Sequence, residues 1–150
     1  MKNILIIEDD VYKKTDIIEF INKKYQDVIM IDSCESYTGG YQLAMSKHYD
    51  FYIIDMTIPK FDKKVGTKEQ SLPNGGELLV ETMLDSGITP VFIVMTQFEN
   101  FGNETLSAID ARLKADCGDL YKGTVKYSTD SENWKIELEK ILDYVIHSNN

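Results

Sequence analysis

An α/β fold built on a doubly wound, five-stranded parallel sheet is what this sequence predicts, and two observations predict it. Strand-like and helix-like segments alternate five times along the 150 residues. The strand-like segments are continuous apolar runs. That pattern suits a parallel sheet covered by helices on both faces, whereas a half-exposed sheet would alternate apolar and polar residues. Right-handed crossovers then favour three layers. Residues 1–150 read as one domain, large enough for a core without disulfide or metal staples, with no linker and no internal repeat.

Each element can be justified in order. Ile4 to Ile7 is the first strand, followed at once by Glu8, Asp9 and Asp10. A helix over 11–25 places Val11, Ile18, Ile21 and Tyr25 on one face, with Lys13, Lys14, Glu19, Asn22 and Lys23 elsewhere. Val28 to Ile31 is the second strand. Residues 36–47 form a second helix, weakened by Gly39 and Gly40. Phe51 to Ile54 is the right length for a buried strand and too short for a helix, and Asp55 ends it. Pro59 lacks an amide donor and restricts Ile58, so the chain turns into a loop. Residues 60–73 are polar, aperiodic and long for a connection, with four lysines against Asp62 and Glu69. Asn74 and Glu77 have capping-box spacing for a helix that reaches about Ser86 and stops at Gly87. Val91 to Met95 is the fourth strand, ending at Thr96. Residues 104–116 read as a helix with Leu106, Ile109 and Leu113 on one face. The fifth strand lies within Leu120 to Tyr127. Thr129 and Glu132 fit another capping box, opening a helix that buries Trp134, Leu138, Ile141, Leu142 and Val145.

Bulk charge bounds the function. A net charge of −9 argues against nucleic acid, which needs a cationic face, and against an anionic membrane surface. It suits metal cations or basic partners. Cys34 and Cys117 supply neither a disulfide framework nor metal spacing, and read as ordinary thiols of a reducing compartment. The run from Ile4 to Ile7 is too short for a signal peptide and nothing later approaches a membrane span, so a cytoplasmic protein is expected.

In a doubly wound sheet, ligands gather outside the carboxyl ends of the strands. In the flavodoxin-like order 2-1-3-4-5, strands one and three meet at the switch point. Glu8, Asp9 and Asp55 then converge. Three carboxylates make a hard, all-oxygen site suited to Mg²⁺ or Mn²⁺, which can bridge a carboxylate and an incoming phosphoryl group. Asp55 is a candidate nucleophile, since aspartyl phosphates are a known covalent outcome. Thr96 offers a hydroxyl to a phosphoryl oxygen, and a lysine ending strand five would pair with the same phosphate. The plain alternative is a solvated acidic loop that binds nothing.

Four stretches carry a resemblance: Ile4 to Asp10, Asp55 to Pro59, Asn74 to Leu79, and Val91 to Thr96. On these, over essentially its whole length, the sequence resembles the receiver domains of two-component response regulators. The resemblance implies that Asp55 is the phosphoacceptor and Asp9 a direct metal ligand, with Glu8 assisting. It implies that the Thr57 carbonyl completes the protein ligands and that Thr96 is the switch hydroxyl. The phosphoryl donor would be a histidine kinase or phosphotransfer protein. A downstream protein would read the surface around helix four, strand five and helix five, with Tyr121 or Tyr127 filling space that Thr96 vacates. Three features depart from the family pattern. Residues 60–73 contain an insertion of about ten residues beside the site. Gln97 replaces the usual small residue after the threonine. The strand-five lysine is followed by Tyr127 rather than proline, and Lys126 is preferred over Lys122 because it ends the strand.

These residues predict a signalling receiver, an enzyme only in catalysing its own phosphorylation and dephosphorylation. A chain that stops at Asn150 without a further effector segment predicts output in trans. The competing reading is a receiver-like module that binds a partner without phosphorylation. A phosphohydrolase fits poorly, because Asp55 and Thr57 do not supply the paired acids of that class.

Overall fold

The computed structural model describes residues 1–62 and 71–148. Five strands and five helices alternate: β1 Lys2–Ile7, α1 Val11–Lys24, β2 Ile29–Cys34, α2 Tyr37–Ser46, β3 Phe51–Ile54, α3 Gly75–Asp85, β4 Phe92–Thr96, α4 Leu106–Cys117, β5 Tyr121–Lys126 and α5 Asn133–Ile146. The strands form one parallel sheet in the order β2-β1-β3-β4-β5, the expected flavodoxin-like topology.

Side chains two apart on a strand share a face, so each apolar run feeds two cores. Ile4, Ile6, Phe51, Ile53, Ile93, Met95 and Val125 meet Ile17 and Ile21 of α1 and Trp134, Leu138 and Leu142 of α5. Leu5, Ile7, Tyr52, Ile54, Phe92 and Val94 face the other way. They meet Leu79, Val80 and Met83 of α3 and Ile109 and Leu113 of α4. The register pairs Ile7 with Ile54 and Ile54 with Val94, so β1, β3 and β4 bring their carboxyl ends to one edge.

Several local expectations are corrected. Gly39 and Gly40 do not merely weaken α2. A Cβ on Gly40 would stand 2.9 Å from Leu79 Cδ2 and 3.0 Å from Ile7 Cδ1, so the glycine lets α2 lie against the sheet and α3. Neither capping box forms. The Asn74 side chain makes no cap hydrogen bond, and α5 starts only at Asn133, whose amide donates to Ser131 Oγ at 3.1 Å. Helix α1 is rotated from its expected phase: Val11 is 61% exposed while Lys13 is 1% exposed. The base of the insertion is built into the fold. Ile58–Pro59 pairs antiparallel with Ser71–Leu72, and Asp62 accepts a 2.6 Å hydrogen bond from the Ser36 hydroxyl. Residues 63–70, which carry three of its lysines and Glu69, lie outside the described residues. A second short ribbon, Asn100–Phe101 with Glu104–Thr105, leads into α4.

Candidate functional site

The site stands on the carboxyl edge of β1 and β3. The Glu8 amide donates to the Cys34 carbonyl of β2 at 2.9 Å, and the Asp55 amide donates to the Ile7 carbonyl at 3.0 Å. These bonds extend the ladder one residue past the apolar runs and fix both carboxylates at the sheet edge. Asp10, the third acid, has a structural task. It is the N-cap of α1 and accepts from the amides of Tyr12 at 3.0 Å and Lys13 at 3.2 Å. That capped turn aims Lys13 inward.

Glu8, Asp9 and Asp55 each present an oxygen within 4.8 Å of the others. Glu8 is 2% and Asp55 5% exposed. Burial alone would force such carboxyls to hold their protons. It raises the pKa of both, and the Lys13 ammonium pulls both back down. Asp55 raises Glu8 further, because two buried carboxylates side by side repel.

Lys13 is the residue the sequence reasoning missed. Its Nζ pairs with Glu8, lies 3.4 Å from Asp55 Oδ2 and donates to the Met95 carbonyl at 2.7 Å. A spacing of four joins Lys13 to Ile17 and Ile21 on one face of α1, and that spacing was the available signal. The lysines of β5 are elsewhere. Lys126, expected at the phosphate, is half exposed and pairs with Glu99. It stands opposite Thr96 in the register, and its side chain runs to Glu99 in the loop after β4. Lys122 lies 5.2 Å from the centre of the Tyr144 ring.

Thr96 is fully buried at the end of β4, and its hydroxyl oxygen accepts from the Phe98 amide at 3.2 Å. Gln97, the residue suspected of crowding the site, is exposed. Thr57 is anchored by its hydroxyl, which donates to the Pro73 carbonyl at 3.1 Å. The two tyrosines of β5 are both committed. Tyr121 donates to Asp110 at 2.5 Å, and Tyr127 donates to Asp16 at 2.6 Å while packing against Trp134. They stand in different cores, on opposite faces of the sheet.

Helix α3 presses on the loop that follows β3. A Cβ on Gly76 would stand 2.3 Å from the Asp55 carbonyl oxygen, and the Gly76 amide donates to the Met56 carbonyl at 2.8 Å. The next residue, Glu77, is buried and held by Arg112 of α4 through two 2.7 Å hydrogen bonds, and the same guanidinium also holds Glu104. This clamp was not foreseen, because Glu77 lies 35 residues from Arg112 in sequence.

The donors present suit a hard cation: three carboxylates with no nitrogen or sulfur among them. Asp55 Oδ1 is buried with no hydrogen-bond partner, a vacancy in bonding that a divalent ion or an incoming electrophile would fill.

No family model matches the chain. Among curated proteins it is 29% identical, over 143 residues, to the Detocs response regulatory protein DtcB of Enterobacter cloacae (strain JD6301), covering 91% of this chain and 95% of that one. Among solved structures, the signal receiver domain of an HD domain-containing protein from Pseudomonas fluorescens Pf-5 has a TM-score of 0.66 at 14% identity, over 97% of this chain and 86% of that one. The receiver domain of the sensor histidine kinase PA1611 from Pseudomonas aeruginosa PAO1, solved with a magnesium ion in its active-site cleft, has a TM-score of 0.61 at 15% identity over 98% of both chains. The receiver domain of Methylobacillus flagellatus has a TM-score of 0.64 at 18% identity over 97% and 98%. The structural neighbours are too distant in sequence to speak for more than the fold.

Proposed function

We propose that this chain is a response-regulator receiver, a phosphoacceptor signalling domain in which Asp55 takes a phosphoryl group from a phosphohistidine donor; its curated relative and its fold support this reading. The observation that carries this reading is the convergence of Glu8, Asp9 and a buried Asp55 whose Oδ1 has no hydrogen-bond partner. Such an oxygen is a preorganised nucleophile. It attacks phosphorus in line, a P–O bond forms, and the P–N bond to the donor imidazole breaks. The imidazole leaves with the electron pair and takes up a proton.

The residues that would hold Mg²⁺ or Mn²⁺ are Asp9 and Asp55, with Glu8 assisting and the Thr57 carbonyl completing the set. When bound, the ion offsets charge on the transferring group. The chain does the rest. The sheet edge fixes the Asp55 carboxylate, and α3 holds its backbone through Gly76. Thr96 turns its hydroxyl towards the new phosphoryl oxygens. Phe98 leans on that hydroxyl, so the movement enters the segment between β4 and α4 and then the face formed by α4, β5 and α5. A partner protein reads that face. Because Tyr121 and Tyr127 are both tied to carboxylates, the signal passes through the 97–105 segment rather than through a tyrosine of β5.

The test is intact mass after incubation with acetyl phosphate and Mg²⁺. Wild type gains one phosphoryl group, Asp55→Asn gains none, and a chelator abolishes the gain. Equal labelling of the two chains, or labelling indifferent to the chelator, refutes the reading.

A further inference from the structure

We propose that Lys13, delivered from α1, is the ammonium that meets the phosphoryl group on Asp55, a task that neither lysine of β5 is placed to perform. The inference rests on reading Asp55 as the acceptor. A phosphoryl group would add close to two negative charges beside Glu8 and Asp9. Lys13 is the one buried cation among the described residues, and it already faces the carboxylate that would be modified.

Its donors are not all spent. An ammonium has three N–H groups. One goes to the Met95 carbonyl at 2.7 Å, and a second faces Glu8, the ion-pair partner. Asp55 Oδ2, at 3.4 Å, is at ion-pair rather than good hydrogen-bond distance, so the third N–H is available to a closer oxygen. A phosphoryl group carried on Oδ1 would bring its oxygens beside Oδ2, the atom that Lys13 already faces. The head group is held from both sides of the sheet edge: the Asp10 cap fixes the first turn of α1, and the Met95 carbonyl ties the ammonium to β4. Lys126 is paired with Glu99 and Lys122 lies over Tyr144.

The competing role is purely structural, a cation that neutralises two buried acids. Rate and stability separate the two roles. Four proteins are compared at equal folded fraction by near-ultraviolet circular dichroism: wild type, Lys13→Met, Lys13→Arg and Lys126→Ala. Labelling by acetyl phosphate with Mg²⁺ is expected to slow by on the order of a hundredfold in Lys13→Met. Lys126→Ala is expected to keep the wild-type rate, and Lys13→Arg, which keeps the charge, to recover part of the loss. In the wild-type chain, with lysine Nζ labelled by ¹⁵N, adding Mg²⁺ and beryllofluoride shifts the Lys13 resonance and leaves Lys126 in place. This second measurement does not depend on whether any variant folds. Labelling of Lys13→Met within about twofold of wild type, a factor worth only tenths of a kcal/mol, overturns the proposal. So does a beryllofluoride shift at Lys126 with none at Lys13. Wild type that takes neither label nor beryllofluoride overturns the acceptor reading of Asp55 itself, and this inference with it.

Discussion

Replacing Gly76 by alanine tests whether α3 sets the loop that carries Asp55. The ideal Cβ would stand 2.3 Å from the Asp55 carbonyl oxygen, 3.0 Å from Ile54 Cγ2 and 3.1 Å from the Asp55 carbonyl carbon. Two of these three atoms belong to backbone, which cannot swing aside as a side-chain tip can. Reaching ordinary contact requires the helix and loop to part by about 1 Å. That movement breaks the 2.8 Å hydrogen bond from the Gly76 amide to the Met56 carbonyl. Overpacking costs about 1–3 kcal/mol and the lost buried hydrogen bond about 1 kcal/mol. Alanine regains up to about 1 kcal/mol as the better helix former. The net is a loss of about 2 kcal/mol, or about 4–8 °C in melting temperature for a chain of this size. Because the displaced carbonyl belongs to Asp55, Mg²⁺ affinity by calorimetry should fall as well. Gly87→Ala is the contrast. There φ is +85° with nothing within 4 Å, so only backbone strain of about 1 kcal/mol is expected and no change in metal affinity. Unchanged stability of Gly76→Ala, or lost stability with intact Mg²⁺ affinity, would refute the idea that this glycine positions the acceptor.

Three further outcomes are expected. Burial raises the pKa of Glu8 to about 8 and raises that of Asp55, so the metal-free fold binds more protons than the unfolded chain; its stability is full below the ordinary carboxylate range and falls as pH rises towards about 8. Mg²⁺ needs both groups ionised, so its binding should release protons and tighten with pH. At a hundred times its dissociation constant it should add about 2.7 kcal/mol, and melting curves with and without Mg²⁺ that run parallel across this range would contradict the scheme. Replacing residues 63–70 by a short glycine–serine link should change stability by about 1 kcal/mol or less, because the ribbon at 58–59 with 71–72 and the Ser36–Asp62 bond lie outside the replaced stretch; a loss of cooperative urea unfolding would show that it carries packing. Arg112→Ala leaves Glu77 buried without its partner and should cost about 2 kcal/mol, with Glu77→Gln in that background restoring part of it; no restoration would mean that the buried charge is not what destabilises the variant.

The fold was legible because it rests on one-dimensional signals. Apolar runs such as Ile4 to Ile7 and Phe51 to Ile54 are buried along their whole length, so period and composition suffice to find them. Sheet order rested on taking the flavodoxin-like arrangement of a doubly wound sheet, which no single residue reports. The failures lie where a local rule competes with tertiary contact. Thr129 and Glu132 have the spacing of a capping box, yet the helix waits until Asn133, where Trp134 enters the core against Phe20 and Tyr127. Gly40 reads as a helix breaker until Ile7 and Leu79 are seen against it.

The site was legible in its acids and not in its cation, for a physical reason. A carboxylate at the end of an apolar strand is placed by that strand, so Glu8 and Asp55 could be located from sequence alone. A lysine has four flexible carbons, and its head group can reach a site from any element within that length. Position on a strand end therefore says little about where its charge goes, as the pairing of Lys126 with Glu99 demonstrates. The better guide is which lysine lies on a face that must be buried. Ile17 and Ile21 require one face of α1 to enter the core, and Lys13 lies on that face one turn earlier, next to the acids. A buried ammonium is tolerable only with acceptors around it, and Glu8, Asp55 and the Met95 carbonyl supply them. Two buried carboxylates at one sheet edge demand a cation, and the lysine four residues before Ile17 is the one whose helix already points there.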